Sequence, residues 1–285
     1  MSAQILNGRE VAKKVRAEVA ASAASFHETH GREPGLEVVL VGDDPGSQVY
    51  VRNKERMAGK TGIRGAVHRL PATTTQDELN ALLDRLHDDD TVDGVLVQLP
   101  LPGDLDELKT TDRIHPSKDV DGLHPLNAGL LAVGRPGLRP CTPRGCMRLL
   151  EETGLELSGK RALVLGRSNL VGKPVAQMLL RASCTVTIAH SRTRDLAERV
   201  RESDVVIAAV GRPKMVQGDW IKEGAVVIDV GINRLDDGSL CGDVDFDAAA
   251  ERAAWITPVP KGVGPMTIAM LLSNTVDAAW HRAEG

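Results

Sequence analysis

Tyr50 and Lys54 stand four residues apart in the stretch GSQVYVRNKERMAGKTG, and Tyr50 is the only tyrosine of 285 residues. On an α-helix that spacing stacks a phenol above an amine on one face. An amine with an ordinary pKa of roughly 10.4 is protonated at neutral pH and cannot act as a base. Burial and a neighbouring positive charge lower that value into the range useful for proton transfer. A second reading of the same stretch is a solvated basic face, because Arg52, Arg56 and Lys60 accompany Lys54.

A second group of residues points to a dinucleotide. In RALVLGRSNLVGKPVAQMLL, Gly166 closes a strand, Gly172 admits close backbone approach, and Pro174 fits the first turn of a helix. Backbone N–H groups at that helix start are expected to hold a pyrophosphate. The glycines are six apart, outside the G-x-G-x-x-G pattern, so a plain strand-to-helix turn is the competing reading. The next strand, TVTIAH, runs into His190, Ser191, Arg192 and Arg194 with no acid, and Arg167 sits in the glycine loop. Arginine in place of an acid favours NADP over NAD. Later strands end at Gly211 and Gly231, which places the Ile232 backbone against the dinucleotide. The run GLELSGKR imitates a P-loop, but Arg161 replaces the Ser or Thr that would hold magnesium, and the run precedes its strand.

Periodicity supplies the elements that carry these residues. Val11, Val15, Val19 and Ala23 mark a helix over about 8–28, and LEVVLVG reads as a buried strand. Ser47 is expected to cap the Tyr50 helix and Gly62 to end it. Thr75 and Glu78 form a capping box ahead of Leu79, Leu82, Leu83 and Leu86, and DGVLVQLPLPG is a strand entering a proline-rich loop. Beyond LRPCTPRG come RALVLG, TVTIAH, DVVIAAVG and AVVIDVG, four apolar runs separated by helices. The pattern is that of two parallel-sheet α/β domains, the second Rossmann-like. The last helix, PMTIAMLLSNTVDAAWHR, has apolar or small residues at 268, 271, 272, 275, 276 and 279, which predicts one buried stripe.

Composition narrows the function classes. A net charge of −4 provides no basic field for nucleic acid or anionic membranes. No segment approaches the roughly 20 apolar residues of a membrane span, and the N-terminus has no signal-like run, so a cytoplasmic location is expected. Cys141, Cys146, Cys184 and Cys241 lack metal-ligand spacing, His115 and His124 show none either, and no metal site is expected. GDVDFD lacks the glycine and distal glutamate of a calcium loop and is read as surface acid. Trp220, Trp255 and Trp280 are read as packing residues.

SQVYVRNK, VQLPLP, KDVDG, PCTPRG, LGRSNLVGKP, GDW, VIDVGINR, GDVDF and TPVPKGVGPMT occur in order along nearly the whole chain. Together they resemble the bifunctional methylenetetrahydrofolate dehydrogenase/cyclohydrolases, a family of cytoplasmic homodimers in one-carbon metabolism. The resemblance implies a folate-binding catalytic domain at 1–140, to which a C-terminal helix at 265–285 returns, an NADP-binding domain at 141–264, and a folate cleft between them. It implies that Lys54 is catalytic, that Gln98 bonds it, that Tyr50 packs beside the pterin, that Asp121 binds the pterin ring, and that Ser47 supports the cluster. It further implies that Pro260 and Gly262 flank the folate and that Gly166, Arg167, Ser168, Gly172, Ser191, Arg192 and Ile232 hold NADP.

One position departs from the family's P-G-G-V-G-P: Lys261 occupies the first glycine. If that position requires positive φ or lies against folate, lysine there brings strain, bulk and charge. Two other readings follow, a folate enzyme with one activity impaired by Lys261, and an NADP-binding module without chemistry.

Overall fold

The computed structural model describes residues 2–284. The chain opens with β1 (Gln4–Ile5) and α1 (Gly8–His30), followed by β2 (Gly35–Val41), α2 (Pro45–Lys60), β3 (Arg64–Leu70), α3 (Gln76–Asp88) and β4 (Gly94–Val97). Then come α4 (Glu107–Arg113), α5 (Pro125–Ala132), α6 (Cys141–Glu152), β5 (Arg161–Leu165), α7 (Gly172–Arg181) and β6 (Thr185–Ala189). After α8 (Leu196–Arg201), β7 (Val205–Ala208) and β8 (Val226–Asp229), a hairpin pairs β9 (Asn233–Arg234) with β10 (Leu240–Cys241). The chain ends with α9 (Phe246–Ala250), β11 (Trp255–Ile256) and α10 (Val263–Ala283).

Two compact units result. The lysine unit comprises Lys14–Cys141 and the segment from Ile268 onward; the glycine-turn unit comprises the segment through Lys13 and Thr142–Thr267. The N-terminal residues thus depart from the expected 1–140 boundary. The cause is β1, which pairs in parallel with β11 of the glycine-turn sheet.

The lysine unit has a three-stranded parallel sheet in the order β3-β2-β4. Every residue of β2 is buried, as expected for a parallel strand covered on both faces. Val39, Val41, Val95 and Val97 pack on Leu79, Leu82, Leu83 and Leu86, so the leucine face of α3 is buried. Thr75 and Glu78 form the capping box at its start. Helix α2 begins earlier than expected. Its cap is Asp44, whose carboxylate accepts from the Ser47 N–H at 2.7 Å, with Pro45 opening the first turn. Ser47 is therefore inside the helix and buried, because the carboxylate two residues before Gly46 outcompetes its hydroxyl as acceptor.

The glycine-turn unit has a six-stranded parallel sheet in the order β1-β11-β8-β7-β5-β6. From β5 the chain moves outward to β6 and then crosses back to β7 on the other side of β5, which creates a topological switch point at the carboxyl ends of β5 and β7. Helix α10 buries more than a stripe: Ala269, Met270, Leu271, Leu272, Asn274, Thr275, Val276, Ala278 and Ala279 are all buried. Asn274 belongs there because its amide donates to the carbonyls of Val120 (2.6 Å) and Arg139 (2.8 Å). Trp280 packs edge-on against Phe26, with ring centroids 5.3 Å apart.

Candidate active site and nucleotide cavity

Lys54 is 8% exposed, whereas Tyr50, one turn earlier, is 53% exposed. Arg52, Arg56 and Lys60 are exposed as well, so Lys54 alone leaves the basic face of α2 and turns inward. Its Nζ donates to Gln98 Oε1 at 2.9 Å. Gln98 lies just past β4, fixed by its own N–H to the Val39 carbonyl at 2.8 Å. Its Nε2 donates to the Leu99 carbonyl at 2.7 Å, which settles the amide orientation and leaves the oxygen facing the amine. A neutral amine held by one N–H in this way keeps its lone pair for another partner.

Burial holds the Lys54 pKa below its usual value, opposed by the charges of Asp121 and Cys141. Asp121 responds in the opposite sense. Burial raises its pKa, Lys54 counteracts that rise, and Asp119 adds to it. Desolvation therefore drives both groups toward their neutral forms.

The KDVDG segment divides its labour. Lys118 Nζ clasps the carboxyl end of α3 through the carbonyls of Leu86 (2.9 Å), His87 (2.6 Å) and Asp89 (2.8 Å). Asp119 accepts from the N–H groups of Gly122 (3.1 Å) and His124 (2.8 Å) and from Asn127 Nδ2 (2.9 Å). Gly122 has φ +73°, and a side chain there would run into the Arg139 backbone. The loop carrying Asp121 is thus tied on both sides.

In the glycine-turn unit a cavity of about 480 Å³ opens at the switch point, lined by Gly166, Arg167 and Ser168 after β5, His190 and Ser191 after β6, and Val210 and Arg212 after β7, among others. Gly166 has φ +110°, and a side chain on it would strike the Ala209 carbonyl. Gly172 is required by its approach to the Gly166 carbonyl. Four expected cofactor residues line this cavity, Gly166, Arg167, Ser168 and Ser191; Gly172, Arg192 and Ile232 do not.

The expectation that α7 offers open N–H groups is corrected. Ser168 Oγ accepts from the Val171 N–H (3.1 Å) and Gly172 N–H (3.4 Å), and the Ser168 carbonyl takes the Lys173 N–H (3.0 Å). The serine side chain caps the helix, and its own O–H remains able to donate to an anion. Anion-binding capacity rests instead on Arg167 and Arg212. Neither guanidinium has a carboxylate partner among the described residues, and no acid lines the cavity. These features fit a phosphorylated dinucleotide with a 2′-phosphate. Sequence reasoning passed over Arg212, although it directly follows Gly211 at the end of β7.

A family model described as the tetrahydrofolate dehydrogenase/cyclohydrolase catalytic domain matches residues 6–121, and one described as the NAD(P)-binding domain of the same proteins matches residues 140–283. The chain belongs to the tetrahydrofolate dehydrogenase/cyclohydrolase family. The bifunctional protein FolD of Sorangium cellulosum is 62% identical over 283 residues, 99% of each chain. Among solved structures, the FolD dehydrogenase/cyclohydrolase of Campylobacter jejuni is 45% identical with a TM-score of 0.95, covering 99% of this chain and 100% of its own. The Trypanosoma brucei FolD, solved with NADP and an inhibitor, is 42% identical with a TM-score of 0.94, covering 100% of both chains. Within this tetrahydrofolate dehydrogenase/cyclohydrolase chain, Lys261 has φ +87° and is exposed, so the departing residue sits in backbone that favours glycine. The acidic run 242–247 is also corrected: Asp243 is fully buried. No helix among the described residues is long and apolar enough to cross a membrane.

Proposed function

We infer that the chain oxidises 5,10-methylenetetrahydrofolate to the 5,10-methenyl cation with NADP+ and hydrolyses that cation to 10-formyltetrahydrofolate. The observation that carries this reading is the buried Lys54 amine, 2.9 Å from a neutral amide oxygen instead of a carboxylate. When bound, NADP+ supplies the hydride acceptor. Arg167, Ser168, Ser191 and Arg212 would hold its phosphates and ribose, with Gly166 giving the backbone room.

In the hydrolytic step water adds to the methenyl carbon, and Lys54 Nζ takes a proton from it. As the carbon–N5 bond breaks, the ammonium returns a proton to N5, the added oxygen becomes the formyl carbonyl, and one net proton passes to solvent. Gln98, being neutral, orients the amine without adding a negative charge that would stabilise the ammonium. A positively charged substrate disfavours protonated Lys54 further. We assign Tyr50, exposed and one turn from Lys54, to the pterin face, Asp121 to the pterin ring, Ser47 to support of this cluster, and Pro260 and Gly262 to the folate. A folate domain around Lys54, an NADP domain around Gly166, and a cytoplasmic homodimer complete the proposal; they rest on the family resemblance, and light scattering tests the dimer.

A spectrophotometric assay of methylenetetrahydrofolate with NADP+ and, in parallel, NAD+ tests the function. NADPH formation at a kcat/KM well above that with NAD+ is expected. No reduction of either nucleotide would leave a binding module without chemistry.

A further inference from the structure

Asp243 is fully buried, and among the described residues no cation pairs with it. Its charge is met by donors from the loop after β7 and from β9. One carboxylate oxygen accepts from the N–H groups of Val210 (2.6 Å) and Gly211 (2.9 Å), and the other accepts from the Arg212 N–H (2.9 Å) and Asn233 Nδ2 (2.9 Å). Three consecutive backbone donors at the end of β7 thus converge on one side chain, as in the backbone nests that bind anions. The surroundings are shaped for it. A side chain at Gly231 would collide with the Asp243 carboxylate, and one at Gly242 with that of Asp229. Asp229 in turn accepts from the N–H groups of Gly231 (2.9 Å), Asp243 (3.0 Å) and Val244 (2.9 Å), fixing the backbone from which Asp243 projects. Val210 and Arg212, two of the residues gathered in this way, line the nucleotide cavity.

We propose that Asp243 is a positioning residue for the dinucleotide: by occupying the nest at residues 210–212 it holds the Arg212 guanidinium at the cavity, where it binds a phosphate of NADP. This rests on the NADP reading above. An exposed arginine on an untethered loop would lose side-chain and backbone freedom on binding, and a loop already fixed by a buried carboxylate avoids most of that cost. In Asp243→Asn two of the four donors face an amide NH₂ in place of an oxygen, whichever way the amide turns, so the loop is released.

The test measures the NADP+ dissociation constant by titration calorimetry, alongside methenyl hydrolysis without nucleotide. Wild type must bind first; failure there would refute the NADP reading itself. D243N and R212Q are each expected to weaken binding about tenfold, and the double variant little more than either alone, since one acts through the other. In D243N nucleotide-free hydrolysis should stay within about twofold of wild type, because it depends on Lys54. Should D243N fail to fold, Asn233→Ala, which removes a single donor to the same carboxylate, is expected to weaken binding about threefold. Unchanged affinity in D243N or, where it does not fold, in Asn233→Ala overturns the proposal. So do additive effects in the double variant, or parallel loss of binding and hydrolysis.

Discussion

Replacing Gln98 by glutamate changes one atom pair of the site and reverses its electrostatics. Lys54 Nζ then faces a carboxylate at the position of an amide oxygen 2.9 Å away. Unit charges about 4 Å apart attract by about 4 kcal/mol at an effective dielectric near 20. Gln98 is only partly buried, so water screens roughly half of this and about 2 kcal/mol remains to stabilise the ammonium. That amount lowers the fraction of neutral amine about thirtyfold wherever the ammonium dominates. Burial already places the wild-type Lys54 pKa below the ordinary lysine value. Hydrolysis should therefore climb with pH and level off once Lys54 is neutral, and in Q98E the same climb should start at higher pH. Stopped-flow decay of the methenyl chromophore across a pH series reads this directly. A rate about thirtyfold down on the acid limb, recovering toward wild type in alkali, is expected. A loss equal at every pH, or no loss, would refute the neutral-amine argument.

The other predictions address the second unit and the departing lysine. Gly166→Ala puts a methyl group into the Ala209 carbonyl at φ +110°, so NADP+ affinity measured by calorimetry should fall by at least about tenfold. Lys261→Gly relieves a left-handed strain of about 1–2 kcal/mol and returns about 0.5–1 kcal/mol through the freer unfolded chain. Scanning calorimetry should show a Tm higher by up to about 3 °C. Both catalytic steps, assayed beside the parent chain, should be unchanged, and a rise in one alone would support the impaired-activity reading.

The elements with strong periodicity were legible from sequence. The leucine face of α3 and its Thr75–Glu78 box needed only local rules, and each is present. The two-residue strands β1 and β11 are too short to show alternation, so the attachment of the N-terminus to the later sheet was not legible. Asn274 and Thr275 interrupt the apolar pattern of α10 while being wholly buried, because distant carbonyls and the helix's own backbone satisfy them. Asp243 looked like surface acid for a similar reason. Its partners are backbone N–H groups and one side-chain amide brought in by the fold, which no sequence motif displays. At the site, the i,i+4 spacing of Tyr50 and Lys54 identified the relevant helix. That spacing alone did not show that the amine is buried and the phenol open. Residues contributed through loop convergence, Arg212 above all, required the sheet order.

The most direct test of the account is Lys54→Met, which keeps the buried chain and removes the amine. Methenyl hydrolysis should fall by at least about a hundredfold, while the NADP+ dissociation constant stays at its wild-type value. Hydrolysis retained near the wild-type rate in a folded, NADP+-binding variant would contradict the assignment of proton transfer to Lys54.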